Sequence, residues 1–462
     1  MKHERLAEAL GEVSDAHIAE AAAHKRRKKF YWVSAIAAML AVILMVQALP
    51  QGSAPLSPVH AKAVSLSEGS RAATRDTNFE KWSSERFQRK TILNAAEVQL
   101  SHFFTTGTQK ILTGSGGENR VCSPANLYIA LAMAAEMSDE QSRQQILDTL
   151  GSSDLAILRE QVGAIWETLY LESDYEKLVL ANSLWLDDTA SYDQTAMDDL
   201  SFYHYASVYQ HDLQSDSAGQ AIRTWLNQNT GNLLKDAVEN VQLSPDTIFA
   251  LYSTIYFQSK WSSEFQPGNN STDFFYGAGI PVMATYMNKN EDQMYYYWGD
   301  SFGAVQLTLR NGSSMWFILP DEDKTVDDVL AEGQFMELVM ADYGEENWPD
   351  QKYVKVNLSV PKFDIQSQTN LKKSLQELGI SDIFDPAKAK FSCISGGYLT
   401  DINQTARVAV DENGVVAAAY IEMLAGAAMP PDEIIDFKLN RPFLFVIEKG
   451  EVPLFAGVVN AP

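Results

Sequence analysis

The chain has 462 residues, of which 46% are hydrophobic and 11% aromatic, so it is long enough to bury a large core. Its 60 acidic and 36 basic side chains give a net charge of −24. A surface this acidic repels phosphate backbones, which argues against nucleic-acid binding.

The N-terminal region departs from this acidity. Residues 1–29 end in five consecutive basic side chains, 25–29, and are interpreted as a cytoplasmic tail. Residues 30–49 follow without any charge, and 20 such residues match one helical crossing of a bilayer. Because basic residues favour the cytoplasmic side, we predict a transmembrane anchor with the rest of the chain outside the cytoplasm. A cleavable signal peptide, which would leave a secreted protein, is the alternative.

Residues 50–90 are rich in Ser, Ala, Pro and charge, and we interpret them as a linker. Residues 91–462 follow as one globular unit without internal repeats. Apolar residues recur at helical spacing early in this unit, whereas strand-like runs dominate later, which favours an α+β fold. The predicted helices are 92–112, 127–137 and 221–234, and the predicted strands are 178–186, 249–257, 304–309, 315–319, 353–360, 406–410, 443–447 and 454–459.

The sequence carries no catalytic or metal-binding signature. No histidine follows His211, and neither His-Glu-x-x-His nor Gly-x-Ser-x-Gly occurs. We therefore expect neither an enzyme nor a bound metal or cofactor.

The two cysteines, Cys122 and Cys393, are interpreted as free buried thiols, although the sequence alone leaves a disulfide open. A hydrolase that uses either thiol is the least favoured interpretation, since no histidine lies near either one in sequence.

Six segments spread over the globular unit resemble the serpin family of protease inhibitors. They are 122–127, 222–227, 255–261, 313–320, 360–363 and 440–457. The resemblance implies three β-sheets, a helical shell and an exposed reactive-centre loop, with Trp225, Trp261, Phe443 and Phe445 in the core. It also implies a monomeric, single-use trap that forms a covalent one-to-one complex with a serine protease. The protease cleaves the loop and is distorted when the loop inserts into the main sheet.

The segment 411–431 has the properties that such a loop needs. It begins with the turn-compatible residues Glu412, Asn413 and Gly414, and no proline follows until Pro430. In an extended conformation one face would carry only apolar side chains, those of Val415, Ala417, Ala419, Ile421 and Met423. The segment is therefore compatible with a central strand, and an Ala-rich helix is the alternative before insertion.

The resemblance also assigns roles to individual residues. The hinge comprises Glu412, Gly414, Val415, Val416, Ala417, Ala418 and Ala419, the breach comprises Lys362 and Trp261, and the shutter comprises Ser123, Ser253 and Gln404. Glu412 is expected to pair with Lys362. The chain departs from the family pattern at Val415, usually Thr or Ser, and at Gln404, often His; Val416 also replaces a common Glu, and Ser253 a common Asn. Valine favours strands and glutamine both donates and accepts hydrogen bonds, so we expect insertion and sheet opening to be retained.

Family spacing counted from Glu412 places the reactive bond between Ala428 and Met429. A count back from 441–443 places it near Pro431, but the residue before a proline is conformationally restricted, so we favour a bond within 427–429. None of these residues is basic or aromatic, which predicts elastase-like or subtilisin-like target proteases with a small apolar pocket. A non-inhibitory serpin-fold binding or scaffold protein at the membrane is the alternative function.

Overall fold

A computed structural model describes residues 63–67, 79–172, 176–235, 243–244, 247–341, 348–400, 402–415 and 433–462, with the backbone alone for 79–88. All of these lie in Lys62–Pro462, the second of the two units into which the chain divides. The predicted tail at 1–29 and the predicted anchor at 30–49 lie outside the described residues. Within the described ranges, no helix is both long enough and apolar enough to cross a membrane.

The helices of the described residues lie mainly in the first half of the unit. They are α1 (Phe79–Leu112), α2 (Pro124–Met137), α3 (Glu140–Leu150), α4 (Leu155–Leu169), α5 (Gln194–Tyr203), α6 (Asp216–Asn229), α7 (Val326–Glu332), α8 (Gln334–Met340) and α9 (Lys372–Glu377). Helix α2 shows how the sequence sets a helix start. Ser123 caps it by accepting a hydrogen bond from the Asn126 N–H, and Pro124 occupies the first turn, where its missing N–H costs nothing.

The strands dominate the second half. They are β1 (Val64–Ser67), β2 (Arg120–Cys122), β3 (Leu171–Glu172), β4 (Lys177–Asp187), β5 (Ala206–His211), β6 (Phe249–Lys260), β7 (Ser271–Phe275), β8 (Val282–Trp298), β9 (Phe302–Thr308), β10 (Ser314–Pro320), β11 (Gln351–Pro361), β12 (Phe363–Asn370), β13 (Asn403–Val410), β14 (Gly414–Val415), β15 (Ile434–Lys438), β16 (Phe443–Lys449) and β17 (Val452–Val459). The predicted α+β fold is confirmed, and every predicted strand is present to within a few residues.

These strands form three sheets in the described part of the chain, as the resemblance implies. The main sheet has the order β1-β5-β4-β6-β14, with β3 beside β4. A nine-stranded sheet has the order β15-β11-β8-β9-β10-β16-β17-β2, with β7 beside β8. Strands β12 and β13 pair only with each other. Every residue of β17 is buried, as are six of the seven in β16, so the continuous apolar runs at the C-terminus form central strands of the core.

The aromatic residues assigned to the core are confirmed there. Trp261 is 1% exposed and Trp225 4% exposed, while Phe443 and Phe445 are fully buried. Trp225 packs in a separate cluster between α6 and the main sheet, which also contains Trp185. These side chains stabilise the fold and carry no chemistry of their own.

Two predicted boundaries are wrong. The linker assigned to 50–90 contains strand β1 and the first turns of α1. Residues 79–90 have neither Pro nor Gly, so α1 extends towards the N-terminus without interruption, and β1 is held by pairing with β5. The helix predicted to reach Leu234 ends at Asn229, because Gly231 and Asn232 adopt left-handed backbone angles, with φ of 57° and 62°.

Candidate functional site

Within the described residues, β6 has no strand partner along most of one side. Over most of its length β6 pairs with β4 on one side, and on the other side the described residues contribute only the two-residue strand β14. No ladder within the described residues joins β6 to β13, although side chains of both strands line one cavity together with Val415. The first part of β6, from Ala250 to Ser253, is correspondingly only half-buried. A strand edge of this kind carries backbone groups that an added strand would satisfy.

Strand β14 lies at one end of this side of β6. Gly414 pairs with Lys260, and Val415 pairs with Ser259, in antiparallel register. A Cβ atom on Gly414 would lie 2.5 Å from the Lys260 Cα and 2.8 Å from the Trp261 backbone nitrogen. Gly414 also has a φ of 146°, which side chains disfavour, so glycine is required here. Val415 is 4% exposed and belongs to the main core.

The turn before β14 is held by three hydrogen bonds to its backbone carbonyls. The Trp261 indole N–H donates to Asp411 over 2.9 Å, the Phe265 backbone N–H to Glu412 over 3.1 Å, and the Trp261 backbone N–H to Asn413 over 3.1 Å. Three consecutive carbonyls therefore depend on the segment 261–265. Trp261, which the resemblance assigns to the breach, thus fixes the path of the chain into the segment assigned to the hinge.

The Glu412 side chain is held from two sides. Lys362 Nζ and Asn270 Nδ2 each lie 2.5 Å from Glu412 Oε1, and Glu412 is 8% exposed. Burial raises the pKa of this carboxyl, but the hydrogen bonds from Lys362 and Asn270 outweigh burial and leave the pKa below its usual value. The expected pair between Glu412 and Lys362 is present. Sequence reasoning missed Asn270, and only its position after the turn at Pro267–Asn269 distinguishes it in the sequence.

Ser123 and Gln404, which the resemblance assigns to the shutter, are joined directly by hydrogen bonds. The Ser123 N–H donates to Gln404 Oε1, and Gln404 Nε2 donates to the Ser123 carbonyl, each over 2.9 Å. The Ser123 hydroxyl donates to the Leu454 carbonyl over 2.5 Å. These bonds connect the start of α2 to β13 and β17. The glutamine thus takes both a donor and an acceptor role at this position.

Ser253, the third residue that the resemblance assigns to the shutter, belongs to a neighbouring polar group on β6. Its hydroxyl donates to Asn182 Oδ1 over 2.7 Å, and its carbonyl accepts from Asn126 Nδ2 over 2.9 Å. Asn126 and Asn182 were missed by sequence reasoning, although Asn126 is only three residues from Ser123. Ser253 and Asn126 also line the same cavity as β13, so this polar group borders the side of β6 that lacks a strand partner among the described residues.

The remaining loop positions are not placed. Val416, Ala417, Ala418 and Ala419 of the hinge, and Ala428 and Met429 of the predicted reactive bond, lie outside the described residues. The assignment of these residues therefore stays a prediction from the sequence.

Both cysteines are buried and free, so the prediction of free thiols is confirmed. Burial raises the pKa of each thiol, Cys122 and Cys393, to about 12. A thiolate is the reactive form of cysteine, so neither residue has the environment of a nucleophile.

Among the described residues, three carboxylates lie close together, those of Asp187, Asp188 and Asp212. Asp187 already accepts hydrogen bonds from neighbouring groups, and the other two residues are exposed.

Comparisons with known proteins agree with this geometry. Residues 99–462 match the family model described as Serpin (serine protease inhibitor). Antithrombin-III of Homo sapiens is 27% identical over 384 residues, which cover 78% of this chain and 81% of antithrombin-III. Serine protease inhibitor 2 of Anopheles gambiae is 28% identical over 371 residues, which cover 74% of this chain and 87% of that protein.

A solved structure extends the likeness to three dimensions. The thermophilic serpin tengpin, in its native state, superposes with a TM-score of 0.71 at 22% identity, covering 87% of this chain and 100% of tengpin. At that identity the superposition establishes the fold, while the family model, which matches most of the chain, establishes the family. The chain belongs to the serpin family of serine protease inhibitors.

Proposed function

We propose that this chain is a single-use inhibitor of elastase-like or subtilisin-like serine proteases, which it traps as acyl-enzymes by inserting its cleaved loop into the main sheet. The observation that carries the proposal is the pairing of Gly414 and Val415 with the end of β6. These two residues stand at the head of the proline-free segment and at the start of the side of β6 that no other described strand pairs with. Loop insertion would continue a ladder that already exists.

The register of this ladder supports the proposal. Because Val415 pairs with Ser259 in antiparallel register, each following residue would pair one position earlier along β6. Ala425 would then lie opposite Phe249, the first residue of the strand. Residues 416–425 therefore match the remaining length of β6. The predicted bond after Ala428 lies three residues further on, so the inserted strand can be complete while a protease remains attached.

The side-chain pattern agrees with this register. Val415 is buried in the core, so the alternate positions that share its face would also turn inward, and all of them through Met423 are apolar. Glu422, the one charged residue of the segment, falls on the opposite face. Insertion would bury apolar surface and add backbone hydrogen bonds, which together supply the driving force.

The proposed target class follows from the residues around the bond. Ala427, Ala428 and Met429 offer neither a positive charge nor an aromatic ring to a protease pocket. A pocket that contains a buried acid would find no partner here, whereas a small apolar pocket accepts Ala or Met. Proteases with similar apolar pockets are expected to differ only modestly in how well they are inhibited, because a few methylene groups discriminate by about 1–3 kcal/mol.

We further propose that the inhibitor acts outside the cytoplasm and is held at the membrane by residues 30–49. The support is the uncharged 20-residue run that follows the basic cluster at 25–29. A reporter enzyme fused after Pro462 would be accessible from outside the cytoplasmic membrane of intact cells. A reporter active only in the cytoplasm would refute this location without bearing on inhibition.

The decisive experiment incubates the domain with an elastase-like or subtilisin-like protease and resolves the mixture on a denaturing gel. We expect a stable band with the combined mass of inhibitor and protease. The variant Ala417→Pro should be cleaved without forming that band, because proline lacks the N–H that the ladder requires, while Ala417→Ser should still form it. Cleavage of the parent chain without a complex would refute inhibition and favour the non-inhibitory binding protein.

A further inference from the structure

Two exposed tyrosines form a pair on the nine-stranded sheet. Tyr295 of β8 and Tyr353 of β11 are direct cross-strand partners, and they are 49% and 45% exposed. Their ring centroids lie 4.9 Å apart at an interplanar angle of 53°. The Tyr353 hydroxyl donates to Gln293 Oε1 over 3.2 Å, which holds its ring in place. Two ordered tyrosines side by side present a large contact area with little side-chain entropy left to lose.

Ile434 of β15 continues this surface. It is 58% exposed and pairs with Lys355, two residues beyond Tyr353 on the same strand. The intervening Val354 is buried, so Tyr353, Lys355 and Ile434 share the outer face of the sheet. Strand spacing places the Cα atom of Ile434 about 8 Å from the Cα atom of Tyr353. We call Tyr295, Tyr353 and Ile434 the tyrosine face.

The tyrosine face lies where the chain returns from the reactive loop. Strand β15 runs parallel to β11, and the Lys355 N–H donates to the Glu433 carbonyl over 3.0 Å. The chain therefore joins the sheet at the end of β11 that carries Tyr353. Ile434 is five positions after Met429, and five positions span at most about 18 Å. The predicted bond consequently lies within that distance of the tyrosine face.

We propose that the tyrosine face is an accessory contact surface for the target protease, on the side of the cleft that holds the residues following the bond. This inference rests on the proposed function. A protease of roughly 230 residues has a radius of gyration of about 17 Å, so one bound at Ala428 extends over this face. Tyrosine is enriched in the binding hot spots of such interfaces. Next to the face, Lys352 and Glu433 form an ion pair, while Lys355 adds a positive charge on the same side of the sheet.

The test compares the double variant Tyr295→Ser/Tyr353→Ser with the parent chain, using subtilisin and pancreatic elastase as probes. The second-order rate constant of inhibition should fall about tenfold for at least one protease. The number of inhibitor molecules consumed per protease and the midpoint of thermal unfolding should stay unchanged. Tyr276→Ser is the matched control, because Tyr276 is 53% exposed and lies away from the tyrosine face. Its backbone N–H donates to the carbonyl of Asn440, which follows the other end of β15.

The outcomes separate this inference from the proposed function. If the parent chain forms no complex with either protease, the proposed function fails and the inference falls with it. If the parent chain inhibits and the double variant inhibits at the same rate, only the tyrosine face is refuted. An equal loss in Tyr276→Ser would also refute it, since the effect would not be local. A parent dimer that becomes monomeric in the double variant would assign the face to a second copy and overturn the proposal.

Discussion

The side-chain amide of Gln404 and the backbone of Ser123 exchange two hydrogen bonds, so a single residue of β13 satisfies both polar groups of the N-cap of α2. The Ser123 carbonyl has a second donor in the Leu127 N–H, which starts the helix. In the described structure the Ser123 N–H bonds to Gln404, and Ser123 is only 3% exposed. The contact with Gln404 therefore matters more for the Ser123 N–H than for the Ser123 carbonyl, which also accepts from Leu127.

Replacing Gln404 with leucine should destabilise the native state by about 1–3 kcal/mol, because a buried N–H would lose its acceptor. The midpoint of thermal unfolding, followed by circular dichroism, measures this. Gln366→Leu on the neighbouring strand β12 is the control, since Gln366 is exposed and its replacement should change stability by less than about 0.5 kcal/mol. Equal midpoints for the two variants would show that the bond contributes nothing.

The pair between Glu412 and Lys362 predicts a loss of stability in acid. The hydrogen bonds that lower the pKa of Glu412 stabilise its ionised form, so their contribution is present above the unfolded-state pKa of about 4.3. It disappears as the pH falls through the lower native pKa. The unfolding midpoint of Glu412→Gln should therefore lie below that of the parent at pH 7 and approach it near pH 3.

The same residue tests the latch hypothesis, in which this pair holds the sheet closed. Glu412→Lys places two like charges together and should accelerate polymerisation or spontaneous inactivation when the protein is warmed. Native gels and residual inhibitory activity follow the two processes. Unchanged rates would reduce the pair to a partly exposed ion pair worth about 1 kcal/mol.

Glu448 predicts the opposite dependence on pH. It is buried on β16, and burial raises its pKa to about 7, so it is protonated in the native state below that pH and ionised in the unfolded chain above about pH 4.5. The free energy of unfolding should therefore decrease as the pH rises from about 4.5 to about 7. Glu448→Gln removes the penalty and should stabilise the protein by about 2–3 kcal/mol at pH 8, with little change at pH 4. A constant difference across this range would contradict the assignment.

Two side chains of strand β1, Leu66 and Val64, should contribute unequally to the free energy of unfolding. Leu66 packs against the main core, whereas Val64 is 60% exposed. Leu66→Ser should lower the free energy of unfolding by about 1–2 kcal/mol through lost apolar burial, and Val64→Ser should lower it by less than about 0.5 kcal/mol. Denaturant unfolding of the two variants measures the difference. Similar losses would show that β1 is held by its backbone alone.

Sequence reasoning succeeded where local pattern and burial agree. The apolar runs that became β16 and β17 are buried on both faces, so their strands were predictable from composition and length. The pair between Lys362 and Glu412 was accessible only through the family resemblance, because 50 residues separate the partners and no local rule joins them.

The rest depended on contacts between distant segments. Strand β1 forms through pairing with β5, about 140 residues away, and its four residues would have no stable structure alone. Asn270, Asn126 and Asn182 act through side-chain amides that meet only in the folded chain. Polar residues of this kind occur throughout the sequence, and the local signals near Asn270 and Asn126 do not say which distant groups they meet.

Strand β1 also marks the end of the main sheet that lies opposite the hinge segment. Val64 pairs with Gln210, which lies beside Leu186, and Leu186 pairs with Phe249, so the chain enters the main sheet at the end opposite Ser259 and the hinge. Insertion of residues 416–425 would advance the cleaved end by about 33 Å towards that entry point. The cleaved end, and any protease attached to it, would therefore finish beside the entry of β1, at the far end of the main sheet from the hinge segment.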